Sequence, residues 1–460
     1  MKLIYGVKDK PKFGANIVFA IQQLLAIMTA TLVVPVIING AFADVAIGMD
    51  SAAALFGAGV GTLVYALFTK FRSPVFLGSS FAFINSMIAA FVGAGTNIAL
   101  GYVGLIMGAF MAGLVYVIIA IIVKFAGVSW LNKLMPAVVI GPTVAIIGLS
   151  LAGNAVGDLG KATGSVALET PYAAIFVGVF TLLVVAICAT FGKKMARMIP
   201  FIIGILAGYA LSIILTLIGN ASNIDALKII NFSAFEALVA DGITLNTFVK
   251  LPDFTFLTAF GAFGAITPAY VATIAAAYIP VAFVVFAEHV ADHKNISSII
   301  EHDLLEDPGL SRTLLGDGVG SMAGAIFGGC PNTTYGESVG CVAISGNASV
   351  YTIVTAAICA IVVSFISPFV AFVNSIPSCV MGGVCMALYG FIAVSGLKML
   401  QPVDLNKNRN LFVASTILIA GIGGLTLNFG KVTITSIACA LILGIIVNLV
   451  LSGAEKIDAE

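Results

Sequence analysis

The chain has 460 residues, 60% hydrophobic and only 9% charged, whereas a soluble domain carries roughly 25% charged side chains. So much apolar surface has to face lipid, which excludes an ordinary water-soluble domain. The 21 Lys+Arg balance the 21 Asp+Glu, and a net charge of zero argues against nucleic acid or a strongly charged ligand as partner.

A membrane-spanning helix needs roughly 20 apolar residues. Taken in chain order, runs bounded by charges, Gly or Pro fall at 14–39, 50–69, 75–93, 101–123, 135–152, 172–191 and 198–219. A polar segment follows around Asn220 to Asp253, and further runs fall at 271–300, 312–329, 331–346, 350–373, 377–397, 410–427 and 433–452. The expectation is therefore an all-α polytopic membrane protein with fourteen spans. Basic residues open the chain, but the first apolar run, Ile17 to Ile38, is long enough to span and no small-residue cleavage site follows, so this run is read as retained. Putting the N-terminus in the cytoplasm leaves all but four of the 21 Lys and Arg on that side. The exceptions are Lys161, Lys228, Lys250 and Lys431. Such a bias sets orientation, and it places the C-terminus in the cytoplasm as well.

Seven expected spans precede the polar segment and seven follow it. An odd number per half makes the halves run in opposite senses, as in inverted-topology repeats. In each half the third span is irregular. Val75-Phe76-Leu77-Gly78-Ser79-Ser80-Phe81 interrupts the first, and Gly328-Gly329-Cys330-Pro331-Asn332-Thr333-Thr334-Tyr335-Gly336 the second. Interrupted spans at matching positions point to a transport site. Their free backbone groups are tolerated only inside protein or beside a water-filled cavity, so the two segments should face each other.

Charges inside such runs are costly and mark function. Glu337 sits where a short helix restarts after Tyr335-Gly336, an end whose free N–H groups suit a carboxylate or a ligand carbonyl. Glu288 lies in Val281-Ala282-Phe283-Val284-Val285-Phe286-Ala287-Glu288-His289. Asp292 is four residues on, so both share one helix face, and two close carboxylates seldom both ionise, which marks a proton site. His289 and His293 are secondary proton candidates. Because apolar sequence begins as early as Phe254, the pattern leaves Glu288 either mid-membrane or at the cytoplasmic interface. Asp292, His293, Lys294 and Asp317 are expected at the interface. The seven cysteines are read as small core residues rather than metal ligands or disulfides. No phosphate loop, HExxH or Ser/His/Asp grouping with a family context is present, so neither catalytic residue, metal nor cofactor is expected.

The same stretches resemble the xanthine/uracil permease family, also called nucleobase:cation symporters or nucleobase-ascorbate transporters. The likeness runs along nearly the whole chain. It is carried by Gln22-Gln23 with Ala30-Thr31 and Pro35, Leu77-Gly78-Ser79-Ser80-Phe81-Ala82-Phe83-Ile84, and Ala287-Glu288-His289-Val290. It continues in Asp303-Leu304-Leu305, Asp307-Pro308-Gly309-Leu310, Pro331-Asn332-Thr333-Thr334-Tyr335-Gly336-Glu337, Ile376-Pro377, Val380-Met381-Gly382-Gly383 and Leu388-Tyr389-Gly390. The resemblance implies two inverted seven-span repeats, with short antiparallel strands in broken spans 3 and 10. It implies a core domain (1–125 and 254–373) and a gate domain (126–219 and 374–460), joined by an extracellular segment (220–253). Substrate-binding positions are implied at Ala30, Ser80, Phe81, Glu288, Tyr335, Gly336, Glu337 and Tyr389, with Glu288 mid-membrane; proton coupling is expected at Glu288, and from the residues alone at Asp292 and His289, since the family's relay does not carry over to Asp292.

The sequence departs from the family pattern at Asp292, where several members carry histidine, at Ser338, which replaces an asparagine, and at Ser345, near a usual threonine. Uracil's alternating N–H and C=O groups suit a carboxylate acceptor beside free backbone N–H donors, and Phe81 could stack on its ring. The implied activity is uracil import by proton symport at the cytoplasmic (inner) membrane, with protons and lipid as the other partners and a homodimer one assembly open to it. A purine permease, or an anion transporter or channel of the same architecture, is the competing reading.

Overall fold

A computed structural model describes residues 3–42, 47–127, 135–193, 195–240, 242–429 and 432–452. Lys2, Lys133, Lys194, Lys431 and Lys456, which enter the charge asymmetry, lie outside the described residues. The first half contains α1 (Phe13–Ala41), α2 (Ser51–Phe68), β1 (Leu77–Ser79), α3 (Ile84–Ala94), α4 (Ile98–Ala126), α5 (Ala137–Ser150), α6 (Tyr172–Phe191) and α7 (Pro200–Ser222). The second contains α8 (Pro268–Ile300), α9 (Leu310–Gly328), β2 (Asn332–Thr334), α10 (Gly336–Ser345), α11 (Val350–Val363), α12 (Ser378–Met399) and α13 (Asn408–Ile422). The hairpin β3 (Leu427–Phe429) and β4 (Val432–Ile434) then leads into α14 (Ser436–Val450), and shorter helices fill the connections.

Local chemistry sets the helix starts. Asp50 caps α2 by accepting the Ala52 N–H at 2.8 Å, Asn97 caps α4 through Leu100 N–H at 3.1 Å, and Thr267 caps α8 through Tyr270 N–H at 3.2 Å. Each satisfies a donor that the first turn otherwise leaves unpaired. Among the described residues, eight helices are long and apolar enough to cross a bilayer, and most of the other expected spans coincide with shorter helices. The expected eleventh span, 350–373, is divided: α11 ends at Val363 and a separate helix, Ser367–Ser375, begins with Pro368 in its first turn. Proline suits that position but cannot continue a helix, because it lacks an N–H and clashes with the preceding turn.

The helices pack in two sets. In one, α9 lies along both α2 and α4, α8 along α3 and α4, and α11 along α1 and α2. In the other, α12 packs on α5 and α6, α7 on α6, and α13 on α14 and α5. Glycine allows close crossings: a Cβ on Gly57 of α2 would stand 2.4 Å from the Gly324 carbonyl of α9. The sets meet where α8 touches α5, β4 and α14, and where α1 touches α7.

Candidate functional site

The two Gly- and Ser/Thr-rich interruptions meet. β1 and β2 pair antiparallel, with Leu77 opposite Thr334, Gly78 opposite Thr333 and Ser79 opposite Asn332. The ladder extends at both ends, through Ser80 N–H to Pro331 O at 2.9 Å and Tyr335 N–H to Phe76 O at 3.2 Å. Each strand thereby satisfies the backbone of the other where no helix does. β1 leads into a short 3-10 turn, Phe81–Phe83, ahead of α3, and β2 leads directly into α10. No side chain caps the start of α10, and Glu337 lies in its first turn.

A cavity of about 420 Å³ opens against this strand pair. Ser80, Phe81, Thr333, Thr334, Tyr335, Gly336 and Glu337 line it from the strand ends, and Glu288 and Asp292 from α8. Val144, Phe201, Leu388, Phe391 and Ser395 form the facing wall, and Arg197 stands at the rim. Glu288 sits twenty residues past the start of α8 and twelve before its end, well away from either terminus. Asp292 accepts a 2.9 Å hydrogen bond from Thr334 Oγ1, which ties α8 to β2. Three carboxylates from two elements thus converge on one apolar-walled space. Such a set can accept N–H hydrogen bonds from a neutral ring while the uncapped start of α10 donates to its carbonyls.

The remaining site candidates sit elsewhere. Ala30 is buried in α1, in the same apolar cluster as Tyr335. Tyr389 is buried with its ring edge-on to Phe81, centroids 6.0 Å apart. Neither lines the cavity. The Tyr335 hydroxyl is already committed to the Ser79 carbonyl at 2.7 Å. His289 is fully buried on a neighbouring face of α8, with Nδ1 2.6 Å from Asp317 Oδ2 and Nε2 3.0 Å from Thr313 Oγ1.

Three residues expected at the interface are placed differently. Asp317 is fully buried in α9, held by His289 and by Thr333 Oγ1, which donates at 3.3 Å. His293 is fully buried too, with Nε2 2.6 Å from the Tyr65 hydroxyl and its ring stacked 4.0 Å from that of His289. Asp292 is half-buried in the cavity wall, while Lys294 is exposed as expected. α8 continues well beyond Glu288 as a 33-residue helix, so the turn after Glu288 stays inside the protein instead of reaching its surface. Ser338, marked in the sequence only as a departure from the family pattern, has a structural part. Its Oγ accepts Gln23 Nε2 at 2.5 Å and Phe76 N–H at 3.0 Å, joining α1, the approach to β1 and α10. The only signal for it was the change from asparagine at that position.

All seven cysteines are free, and among the described residues no group of three His, Cys, Asp or Glu is arranged to hold a metal.

A sequence profile of the Permease family, the xanthine/uracil permeases, matches residues 14–430. The uracil permease of Bacillus caldolyticus is 37% identical over 99% of this chain and 96% of its own. That of Escherichia coli K12 is 35% identical over 97% and 93%, and the putative pyrimidine permease RutG of Escherichia coli K12 is 30% identical over 96% and 91%. The fold is similar to the transmembrane domain of the cyanobacterial bicarbonate transporter BicA, with a TM-score of 0.61 at 17% identity over 96% of this chain and all of the other. It is also similar to the murine anion transporter Slc26a9, with a TM-score of 0.63 at 11% identity over 97% of this chain and 69% of the other. The chain is therefore a multi-pass membrane transporter that belongs to the xanthine/uracil permease family.

Proposed function

We propose that this protein imports uracil by proton symport, moving one set of helices against the other so that the site opens alternately to the two sides. The observation that carries the reading is the convergence of Glu288, Asp292 and Glu337 with the paired strand ends in one small cavity. Glu288 is the main substrate ligand and the proton carrier. Glu337 accepts a second ring N–H at the start of α10, and Phe81 provides the stacking wall. Asp292, and behind it His289, support the proton step.

In this reading the chain crosses the cytoplasmic membrane fourteen times in two inverted repeats, with both termini in the cytoplasm. The core domain comprises 1–125 and 254–373, the gate domain 126–219 and 374–460. The two packed helix sets support that division, since the larger contacts of each helix stay within its own set, and the sets meet mainly where α8 touches α5, β4 and α14 and where α1 touches α7. The cavity rim holds Arg197, whose loop lies on the cytoplasmic side in this orientation. Three carboxylates around the cavity disfavour an anion despite the likeness in fold to anion transporters.

The deciding experiment is uptake of labelled uracil by purified protein in liposomes, under separately imposed pH and sodium gradients. Saturable uptake driven by an inward proton gradient is expected. Flux driven by sodium alone would overturn the coupling, and preferential competition by purines would overturn the substrate.

A further inference from the structure

A second cavity, of about 340 Å³, lies beyond the same helices. The two cavities end on neighbouring turns of α1 and α7. Ala26 and Phe201 line the first, and Thr29, Ile202 and Ile205 line the second. A partition one helical turn thick therefore divides them.

Their chemistry differs. The first holds three carboxylates and a guanidinium, whereas no charged side chain among the described residues lines the second. An ion entering it would lose hydration without compensation. Its polar groups are few, and most are engaged. The Asn39 amide donates to the Met49 carbonyl and its own oxygen accepts the Met49 N–H, both at 2.8 Å. Ser165 N–H donates to Ser378 Oγ at 3.2 Å. Thr29 stands apart: it is 3% exposed, and its buried hydroxyl has no hydrogen-bond partner among the described residues. An unpaired buried hydroxyl is a group waiting for a partner. Phe369 and Phe372 supply ring faces nearby, the second held edge-on by Tyr209 at 5.0 Å. A wholly apolar solute would leave Thr29 unpaired, whereas a neutral heterocycle satisfies both it and the aromatic wall.

We propose that this second cavity is a docking station for the same class of solute as the first, a neutral nucleobase, held by the Thr29 hydroxyl against Phe372 before it crosses the α1–α7 partition. The inference rests on the nucleobase reading above and adds a second site to it.

Cys341, 4% exposed, is the one cysteine lining either of these two cavities, and it lines the first. The test uses full-length protein carrying Ser378→Cys, which lines the second cavity and leaves Thr29 in place, in detergent, reacted with a small methanethiosulfonate reagent over a uracil titration. Labelling at positions 378 and 341 is read separately by peptide mass spectrometry. Uracil is expected to slow both reactions about fivefold, with half-protection at position 378 needing about ten times more uracil than at Cys341. Equal half-protecting concentrations would mean that position 378 reports only occupancy of the first site, and would overturn the proposal. So would an unprotected position 378 beside a protected Cys341. Protection at neither position would overturn the nucleobase reading itself, and this inference with it. Met381→Cys, which lines the same cavity, gives the same readout if Ser378→Cys does not fold.

Discussion

His289 Nδ1 lies 2.6 Å from Asp317 Oδ2 with both side chains fully buried, so α9 is bound to α8 one residue beyond Glu288. Thr333 in β2 donates to the same carboxylate oxygen at 3.3 Å. This contact locks the helix that carries Glu288 and Asp292 to the strand that precedes Glu337. Asp317→Ala would leave the imidazole and the threonine hydroxyl without their acceptor, at about 1–3 kcal/mol for each buried group orphaned. A lower unfolding temperature in detergent and weaker uracil binding are expected, with Asp317→Asn milder in both. An unchanged melting curve for Asp317→Ala would show that the contact contributes nothing.

The two glutamates should separate by role. Replacing a carboxylate acceptor by an amide forfeits a charge-assisted hydrogen bond of about 1.5–3 kcal/mol, or about 10- to 150-fold in affinity. Glu288→Gln and Glu337→Gln are both expected to weaken equilibrium uracil binding on that scale. Only Glu288→Gln should also abolish acceleration of uptake by an imposed pH gradient. Loss of the pH response in Glu337→Gln as well would remove the distinction.

Ser338 holds three elements at one oxygen, receiving Gln23 Nε2 at 2.5 Å and Phe76 N–H at 3.0 Å. Ser338→Ala strands both donors in a buried position, a loss of about 1–3 kcal/mol each, whereas Ser338→Thr keeps the oxygen. Thermal unfolding should rank wild type and Ser338→Thr above Ser338→Ala. The reverse order would show that these bonds are not what secures α10.

Gly78 is required by space. A Cβ there would lie 2.4 Å from the Tyr335 ring and 2.9 Å from Thr31 Oγ1. Overpacking of this kind costs about 1–3 kcal/mol and here would push β1 off β2, so Gly78→Ala should lose uracil binding. Gly390 on α12 has nothing within 4 Å of its would-be Cβ, and Gly390→Ala should fold and bind like wild type. Equal binding by both variants would show that the strand pair tolerates displacement.

On the surface, Arg72 bonds Asp307 and holds its carboxyl below the ordinary carboxylate range, the hydrogen bond being the main cause. A depressed acid contributes stability above its unfolded value and loses it as pH falls through the folded one. Hydrogen exchange in the 301–309 loop should therefore stay protected through neutral pH and rise only below about pH 4. Arg72→Gln should remove that protection at neutral pH. Equal protection in Arg72→Gln and wild type at neutral pH would show that this ion pair does not secure the loop.

The amino-acid sequence by itself determined the long helices, because runs of apolar residues have only lipid or protein interior in which to sit. It also marked the two broken segments, where clustered Gly, Ser, Thr and Pro weaken a continuous helix, and it singled out Glu288 and Glu337 by the expense of a carboxylate among apolar neighbours. Helical spacing put Glu288 with Asp292 on one face and His289 with His293 on the next. Which face meets the cavity is not a property of spacing, and it was settled by α9 and α2, which bring Asp317 to His289 and Tyr65 to His293. The same holds for Ser338 and Gln23, 315 residues apart, and for the register of β1 on β2. These contacts form between distant parts of the chain, and only the packing of the helices that carry them decides which polar groups meet and which face the cavity.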